Sequence, residues 1–409
     1  MKISRFFLAS SLFACLVPAY AQDEPSVDPS QLKPISPDSA LKSLSRSGSP
    51  SASTSIIAVT PKLAIWQYQF VSPRDGNTYQ GSIVGGNPFN RGGRTTNVPV
   101  VIVPVRVQFT GTVRNFDPTS PDDGCIGAGN TAVSLAEASP IFQPSPFTIN
   151  GVNVGNTIYP DAFQRAAFWP AIGGFSPAYH LGLNVSVAPK QTISVVNGST
   201  NGATFAEGGC STNAITQDNP QRLGLLDINF LDPLLNGMIT TLGIAPNQFP
   251  LFVLYGVVIS DGAANTLANC CILGYHSTVS STATPANPGQ TYGIAEYDQG
   301  YLFGPGTQDV SAMSHEVQEW IDDPSGVNMV PAWGNIGQVV GCQGNLEVGD
   351  PLSGKLMPAI TLGATTYHVQ EMAFPQWFLG TPFPGAGGVY SSNGTFPGFA
   401  KACPPGGTN

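Results

Sequence analysis

The sequence predicts an α+β fold, with a β-rich N-terminal part followed by a part built around one helix. Three observations carry this. Only 10% of the 409 residues are charged, and Gly (47) and Pro (37) are abundant, a balance that suits a loop-rich, strand-rich exported chain. Runs of β-branched and aromatic residues recur from Ile56 to Tyr297. One later stretch, 309–324, switches to a helical period.

The N-terminus reads as a secretory signal over residues 1–21. Lys2 and Arg5 form a basic start, Phe6 to Val17 an apolar run, and Ala19-Tyr20-Ala21 an A-x-A cleavage site. The run is too short to span a bilayer, and no later stretch is long and apolar enough. Residues 22–55 are Ser/Pro-rich and read as a linker or pro-segment. The formal net charge of -9 becomes about -11 once Lys2 and Arg5 leave (-9 minus 2). An acidic surface with few basic clusters argues against nucleic-acid binding.

Six cysteines remain after Cys15 departs: Cys125, Cys210, Cys270, Cys271, Cys342 and Cys403. An even count in an exported chain predicts three disulfides, among 15 possible pairings. The adjacent Cys270 and Cys271 are expected to take different partners, because a bridge between neighbours is strained. No CxxC spacing supports a Cys-based metal site.

Residues 56–220 read as the β-rich region. Strands are expected at 64–70 and 98–109, where β-branched and aromatic residues concentrate. Asn150-Gly151 between short apolar runs predicts a hairpin over 147–154. A short helix is expected from Asp161, ending before Pro170. Residues 221–409 form the second region. It opens with a helix near 231–242 and a buried strand at 251–259, then strands at 271–279 and 291–297.

The helix at 309–324 has two faces. Val310, Met313, Val317, Trp320 and Ile321 form an apolar stripe at helical spacing. His315, Glu319 and Asp322 stack on the opposite face. Thr307 or Asp309 can cap its start, and Pro324 with Gly326 ends it. A His and a Glu one turn apart can reach the same divalent ion. Glu316, beside His315, can then serve as general base toward a water activated there. Glu319 stands where an H-E-x-x-H enzyme has its second His. A downstream turn, Asn345-Leu-Glu-Val-Gly-Asp350, offers Glu347 as third ligand and Asp350 as a further ligand or a partner orienting His315. One His with two carboxylates suits zinc best. The plain alternative is a solvated acidic helix end with a partly buried His.

Other groups are weighed against burial. Asp322 and Asp323 oppose the helix dipole, so a local role is expected; Asp323 can orient the helix end. His276 is a candidate extra ligand or hydrogen-bond donor to the transition state, or a core residue. His180 and His368 read as structural. The aromatic stretch from Phe374 to Tyr390 reads chiefly as core.

The segments Ser314–Pro324 and Asn345–Asp350 resemble the H-E-x-x-E…D-P and E-I-x-D segments of the exported phosphate-induced, exordium-like group. Gly274-Tyr-His276 is similar to that group's Gly-Tyr/Trp-His strand. The likeness covers about residues 250–355. It implies a zincin-like C-terminal part, with an active-site helix against a small sheet and a site formed by His315, Glu316, Glu319 and Glu347. The function expected is a secreted zinc peptidase acting on a peptide or protein substrate. The competing expectation is a non-catalytic extracellular or wall-associated binding protein that keeps a structural ion.

Overall fold

The computed structural model describes residues 62–90, 94–112, 116–205, 223–298 and 306–403. The expected signal peptide and linker lie outside these residues.

Strand β1 (Ile65–Val71) pairs antiparallel with β2 (Thr78–Val84). The long β3 (Thr95–Thr110) follows. Two short helices, α1 (Asp123–Ile126) and α2 (Ala132–Glu137), lead to a hairpin of β4 (Ser145–Ile149) and β5 (Val152–Thr157). The hairpin turns at Asn150 (φ 50) and Gly151 (φ 77), the paired positive φ that an Asn-Gly turn supplies. Next come α3 (Tyr159–Ala167) and α4 (Trp169–Phe175). Pro170 does not simply stop a helix: it occupies the first turn of α4, where its missing N–H costs nothing.

Strands β6 (His180–Val187), β7 (Gln191–Val196), β8 (Gly202–Phe205) and β9 (Leu223–Asp227) precede α5 (Ile228–Leu242). Then β10 (Phe249–Tyr255) and β11 (Val257–Ser260) divide the expected strand in two. Gly256, at φ 66, makes the break and lets the chain pass from one sheet to another. After β12 (Cys270–Ile272), β13 (Gly274–Thr278) and β14 (Thr291–Tyr297) comes α6 (Ser311–Asp322), followed by β15 (Met329–Ile336), β16 (Val339–Asn345), β17 (Ile360–Leu362), β18 (Thr365–Tyr367) and α7 (Pro375–Leu379).

The central sheet runs β13-β14-β10-β3-β6, with β7 pairing the far end of β3. Its inner pairs are parallel, and β13 alone is antiparallel at the edge. Such a sheet must be covered on both faces. Accordingly every residue of β10 and β14 is buried. The sheet is larger than the small one expected, and it interleaves both sequence regions. β3 and β6 come from before residue 220 and lie beside β10 and β14 from after it. The boundary at 220/221 is therefore no division of the fold. One apolar core includes Leu63, Trp66, Val100, Phe163, Phe249, Trp320, Phe374 and Ala400.

Helix α6 packs on β13 and β14. All five stripe residues are fully buried. Trp320 stacks on Phe249 with ring centroids 3.8 Å apart, and its Nε1 donates to Thr291 Oγ1 at 2.9 Å. The start differs from expectation, since Val310 is the N-cap and no side chain caps the helix. Asp309 instead takes a positive φ of 38. Its carboxylate accepts from Val310 N, from His368 N, and contacts His368 Nδ1 at 2.6 Å.

Cysteine pairing corrects one expectation. Cys270 bonds its neighbour Cys271, and Cys342 bonds Cys403 across 61 residues. No helix among the described residues is long and apolar enough to cross a membrane.

Candidate metal centre

The polar face of α6 is not solvated. His315 is 4% exposed, Glu316 and Glu319 are 2%, and Asp322 is 0%. A helix apolar on one side and acidic on the other is thus buried all round. That removes the reading as a solvated helix end and leaves ionisable groups that need partners.

Two groups converge there. His315, Glu319 and Asp350 bring one ligand atom each within 4.8 Å of one another, and so do His276, Glu316 and Glu319. Glu319 belongs to both. His315 Nε2 lies 3.0 Å from Glu319 Oε2 and 3.4 Å from Asp350 Oδ1. Two atoms bound at about 2.0–2.1 Å to a tetrahedral zinc sit roughly 3.3 Å apart, so these separations fit one ion.

Glu347 is in neither group, which corrects the expected third ligand. Leu346 and Val348 on either side of it are fully buried apolar residues. Glu347 itself is 3% exposed. Its Oε1 accepts from Asn345 Nδ2 at 2.7 Å. Asp350, expected as a further ligand or a partner orienting His315, has its Oδ1 3.4 Å from His315 Nε2, and Gly349 before it lies close on the His315 ring. A Cβ at Gly349 would fall 2.5 Å from His315 Nδ1. Gly349 N also donates to Glu319 Oε1 at 2.9 Å.

The outer nitrogen of each histidine is fixed. Gln370 Nε2 donates to the Gly349 carbonyl at 2.7 Å, which leaves Gln370 Oε1 to accept from His315 Nδ1 at 3.1 Å. His276 Nε2 donates to the Asp323 carbonyl at 3.0 Å. Neutral imidazoles held this way turn a lone pair inward. The inward Nε2 of His315 meets the carboxylates of Glu319 and Asp350. The inward Nδ1 of His276 lies 3.6 Å from Glu316 Oε2 and 3.8 Å from Glu319 Oε2. Lone pairs facing carboxylates demand a cation, either a proton or a metal ion. His315 Nε2 and Glu316 Oε2 are also buried atoms without a hydrogen-bond partner.

The electrostatics agree. Burial works against a charged His315, but Glu319 and Asp350 outweigh it and hold the ring well above its usual value. Burial raises the Glu316 carboxyl. Burial works the same way on Glu319, where His315 prevails and holds it low. Burial, then Glu319, pushes Asp350 up to about 6. In the ion-free protein the His315 proton serves as the cation. A metal ion would displace it, as metal binding releases protons from its ligands.

Amides form the outer layer. Gln338 Nε2 donates to Asp350 Oδ1 at 2.6 Å, and Gln343 Nε2 to Oδ2 at 3.3 Å. Asp322 does not join the ligands. It accepts from Gln164 Nε2 at 2.7 Å and Gln318 Nε2 at 2.8 Å. Asp323 orients the helix end as expected of its position, accepting from Val327 N and Asn328 N. His180 pairs with Asp161 and His368 with Asp309, both outside the two groups. Nothing in the sequence singled out Gln338, Gln343 or Gln370, since a glutamine reads as surface until its partner is known.

A cavity of about 40 Å³ reaches His315 and Glu316 between Gly274 and Gln370. That is room for a water molecule. Gly274 has to be glycine here, because a Cβ would meet Glu316 Cγ at 2.6 Å and the Ile294 carbonyl at 2.7 Å. Comparisons with protein-family models, curated proteins and solved structures find no match.

Proposed function

We propose that this chain is an exported, metal-dependent hydrolase with a zincin-like centre, cleaving peptide bonds. The observation that carries the reading is the pair of inward-facing nitrogens. His315 and His276, each locked by an acceptor behind it, point at Glu319, Asp350 and Glu316 in a buried pocket. The assigned ligands are His315 Nε2, Glu319 and Asp350. His276 Nδ1 is a fourth ligand or a donor beside Glu316. The donor set is nitrogen and oxygen, which suits zinc.

When bound, zinc supplies Lewis acidity that polarises a carbonyl and acidifies a water. The chain's residues do the rest. Glu316 Oε2, unpaired and at the cavity wall, takes the proton from the attacking water. Its raised basicity, a result of burial, suits a general base at neutral pH. Protonated at Nδ1 as well as Nε2, His276 places a cation 3.6 Å from Glu316 Oε2 and stabilises the carboxylate's charge. Gln370 keeps His315 in one tautomer. Strand β13 ends the sheet order beside Glu316, so an extended peptide running along it would lie against the site. This supports the choice of a peptide substrate. The disulfide between Cys342 and Cys403 supports export to an oxidising compartment.

A second reading has its own support. The 40 Å³ cavity admits a water but no substrate group, which favours a binding protein with a structural ion. Metal analysis and peptidase assay of wild type and Glu316→Gln separate the two. The hydrolase reading expects about one zinc per chain in both proteins. Cleavage of a broad peptide library should fall about 10²–10⁴-fold in the variant. Zinc in both with no cleavage by wild type would leave the structural-ion reading. Failure of both to retain any transition metal would sink the centre itself.

A further inference from the structure

A cavity of about 360 Å³ opens between two short hairpins. Consecutive residues of β4, Ser145 to Thr148, line one side, and consecutive residues running into β17, Met357 to Thr361, line another. Neither β5 nor β18, the strands that β4 and β17 pair with, takes part. A strand seen face-on presents every second residue. One that presents successive residues without its neighbour is seen from its edge. Each hairpin is a two-stranded sheet, so β4 and β17 each have one unpaired edge. These two edges border the same cavity. Phe147, Met357 and Ser392 are buried and form its floor, whereas Pro146, Thr148, Ala359 and Thr361 are exposed.

Both edges offer backbone groups. Each hairpin has a two-residue turn, and such a turn closes on a hydrogen-bonded pair, here Ile149 with Val152 and Leu362 with Thr365. The residue before each pair, Thr148 or Thr361, then turns its N–H and C=O to the outer edge. The Thr361 and Thr366 hydroxyls lie 3.2 Å apart, the close approach of side chains that a non-hydrogen-bonded pair gives. Among the described residues, no other part of the chain bonds to the backbone of Thr148 or Thr361. Size and charge narrow the occupant. A strand residue fills a cell of about 3.3 by 4.8 by 10 Å, roughly 160 Å³, so the cavity takes a segment of about two or three residues. No lining residue carries a charge. Pro146, which has no N–H, stops open-ended pairing along β4 and keeps the segment short.

We propose that this cavity is a docking site for a short, uncharged, extended segment of another protein, which enters as a strand between β4 and β17. Successive residues of a strand turn their N–H and C=O to opposite edges. One residue of the segment therefore exchanges hydrogen bonds with Thr148 and the next with Thr361. The order β5-β4-segment-β17-β18 would pair two open edges at once. The cavity shares no lining residue with the one at the metal centre, and the proposal does not rest on the hydrolase reading.

Calorimetric titration of the full chain with the neutral pentapeptide acetyl-SVTVS-amide tests it, with mass spectrometry confirming that the peptide stays intact. Two analogues carry one backbone N-methyl group, on the third or on the fourth residue, and so lose an N–H toward one edge or the other. Each should bind about tenfold more weakly. In acetyl-SKEVS-amide one of the two charges must face the buried floor, because side chains alternate, and it should bind about tenfold more weakly or worse. Thr361→Pro removes the outward N–H of β17 without costing the hairpin a hydrogen bond. It should weaken the parent peptide about tenfold, with near-ultraviolet circular dichroism confirming a folded chain. If that variant does not fold, the two N-methyl analogues decide alone. No binding of the parent peptide at about 1 mM, or weakening by only one of the N-methyl groups, overturns the proposal. Binding of cellotriose with rejection of the peptide would assign the cavity to a saccharide and overturn it. So would self-association abolished by Thr361→Pro with no peptide binding, which would assign the edges to a second copy.

Discussion

Gly349 shows how one missing side chain arranges the centre. Its Cα lies so close to His315 that an added Cβ would sit 2.5–2.6 Å from three ring atoms. Gly349→Ala must therefore rotate or displace the imidazole. Overpacking of this kind costs about 1–3 kcal/mol. Because His315 Nε2 is aimed at Glu319 and Asp350, the loss should fall on metal affinity, about 10–100-fold. Zinc competition titration reads it, and unchanged affinity would mean that His315 does not hold the ion.

Asp322 gives a pH test at the same scale. Burial pushes its carboxyl up to about 7, against roughly 3.9 in an unfolded chain. The folded state keeps a proton that the unfolded state releases. Its contribution to stability is complete below about pH 4, declines as pH rises toward 7, and is gone above that. The slope is at most about 1.4 kcal/mol per pH unit. Asp322→Asn keeps the shape. The amide of Gln318, whose Oε1 is unpaired, can turn to accept from the new side chain. In chelator-treated protein the variant should lose less stability between pH 4.5 and 7.5 than wild type, as read by denaturant titration. Parallel slopes would refute the assignment.

Among the elements, α6 was the most legible and the most misleading. Its length and stripe follow from spacing, because a 3.6-residue period is visible in one sequence. Its surroundings are not visible. From sequence the polar face reads as a metal site or, in the plain alternative, a solvated helix end; in the fold it is buried under Gly349, Gln370 and β13. Choosing between Glu347 and Asp350 depended on a turn whose geometry no periodicity encodes. The Asn150-Gly151 hairpin was legible because that turn chemistry is local. The parallel pairing of β3 with β10, and of β3 with β6, joins distant strands and was not. What fixes α6 on the sheet is Trp320, stacked on Phe249 and bonded to Thr291. Trp320→Phe keeps a ring and loses the hydrogen bond, so a cost of about 1–2 kcal/mol is expected. Trp320→Ala should cost about 3–5 kcal/mol and lower zinc content too. Equal costs for the two would show that the stack contributes little.

At the scale of the whole molecule, the centre is built into the same apolar core as much of the scaffold. The core cluster runs from Leu63 to Ala400 and contains Val317, Trp320 and Ile321 of α6. The helix that carries His315 and Glu319 therefore cannot loosen without exposing residues that the rest of the chain also packs against. It follows that an ion bound by His315, Glu319 and Asp350 stabilises the entire fold and not a local loop. An ion present at 100 times its dissociation constant adds about 2.7 kcal/mol. For a chain of this size that corresponds to roughly 4 °C in Tm. Chelation should thus lower Tm by about that amount, in a single transition, and zinc should restore it. Asp350→Asn should be blunted in both responses, because it weakens one ligand while its Gln338 contact can persist. The effect should also fade below about pH 6, where Asp350 gains a proton and His315 competes for its own. A chelator that leaves Tm unchanged at pH 7.5, in protein shown to have carried zinc, would place the ion outside this cluster. Two separate melting transitions, only one of them moved by chelation, would instead break the link between the site and the shared core.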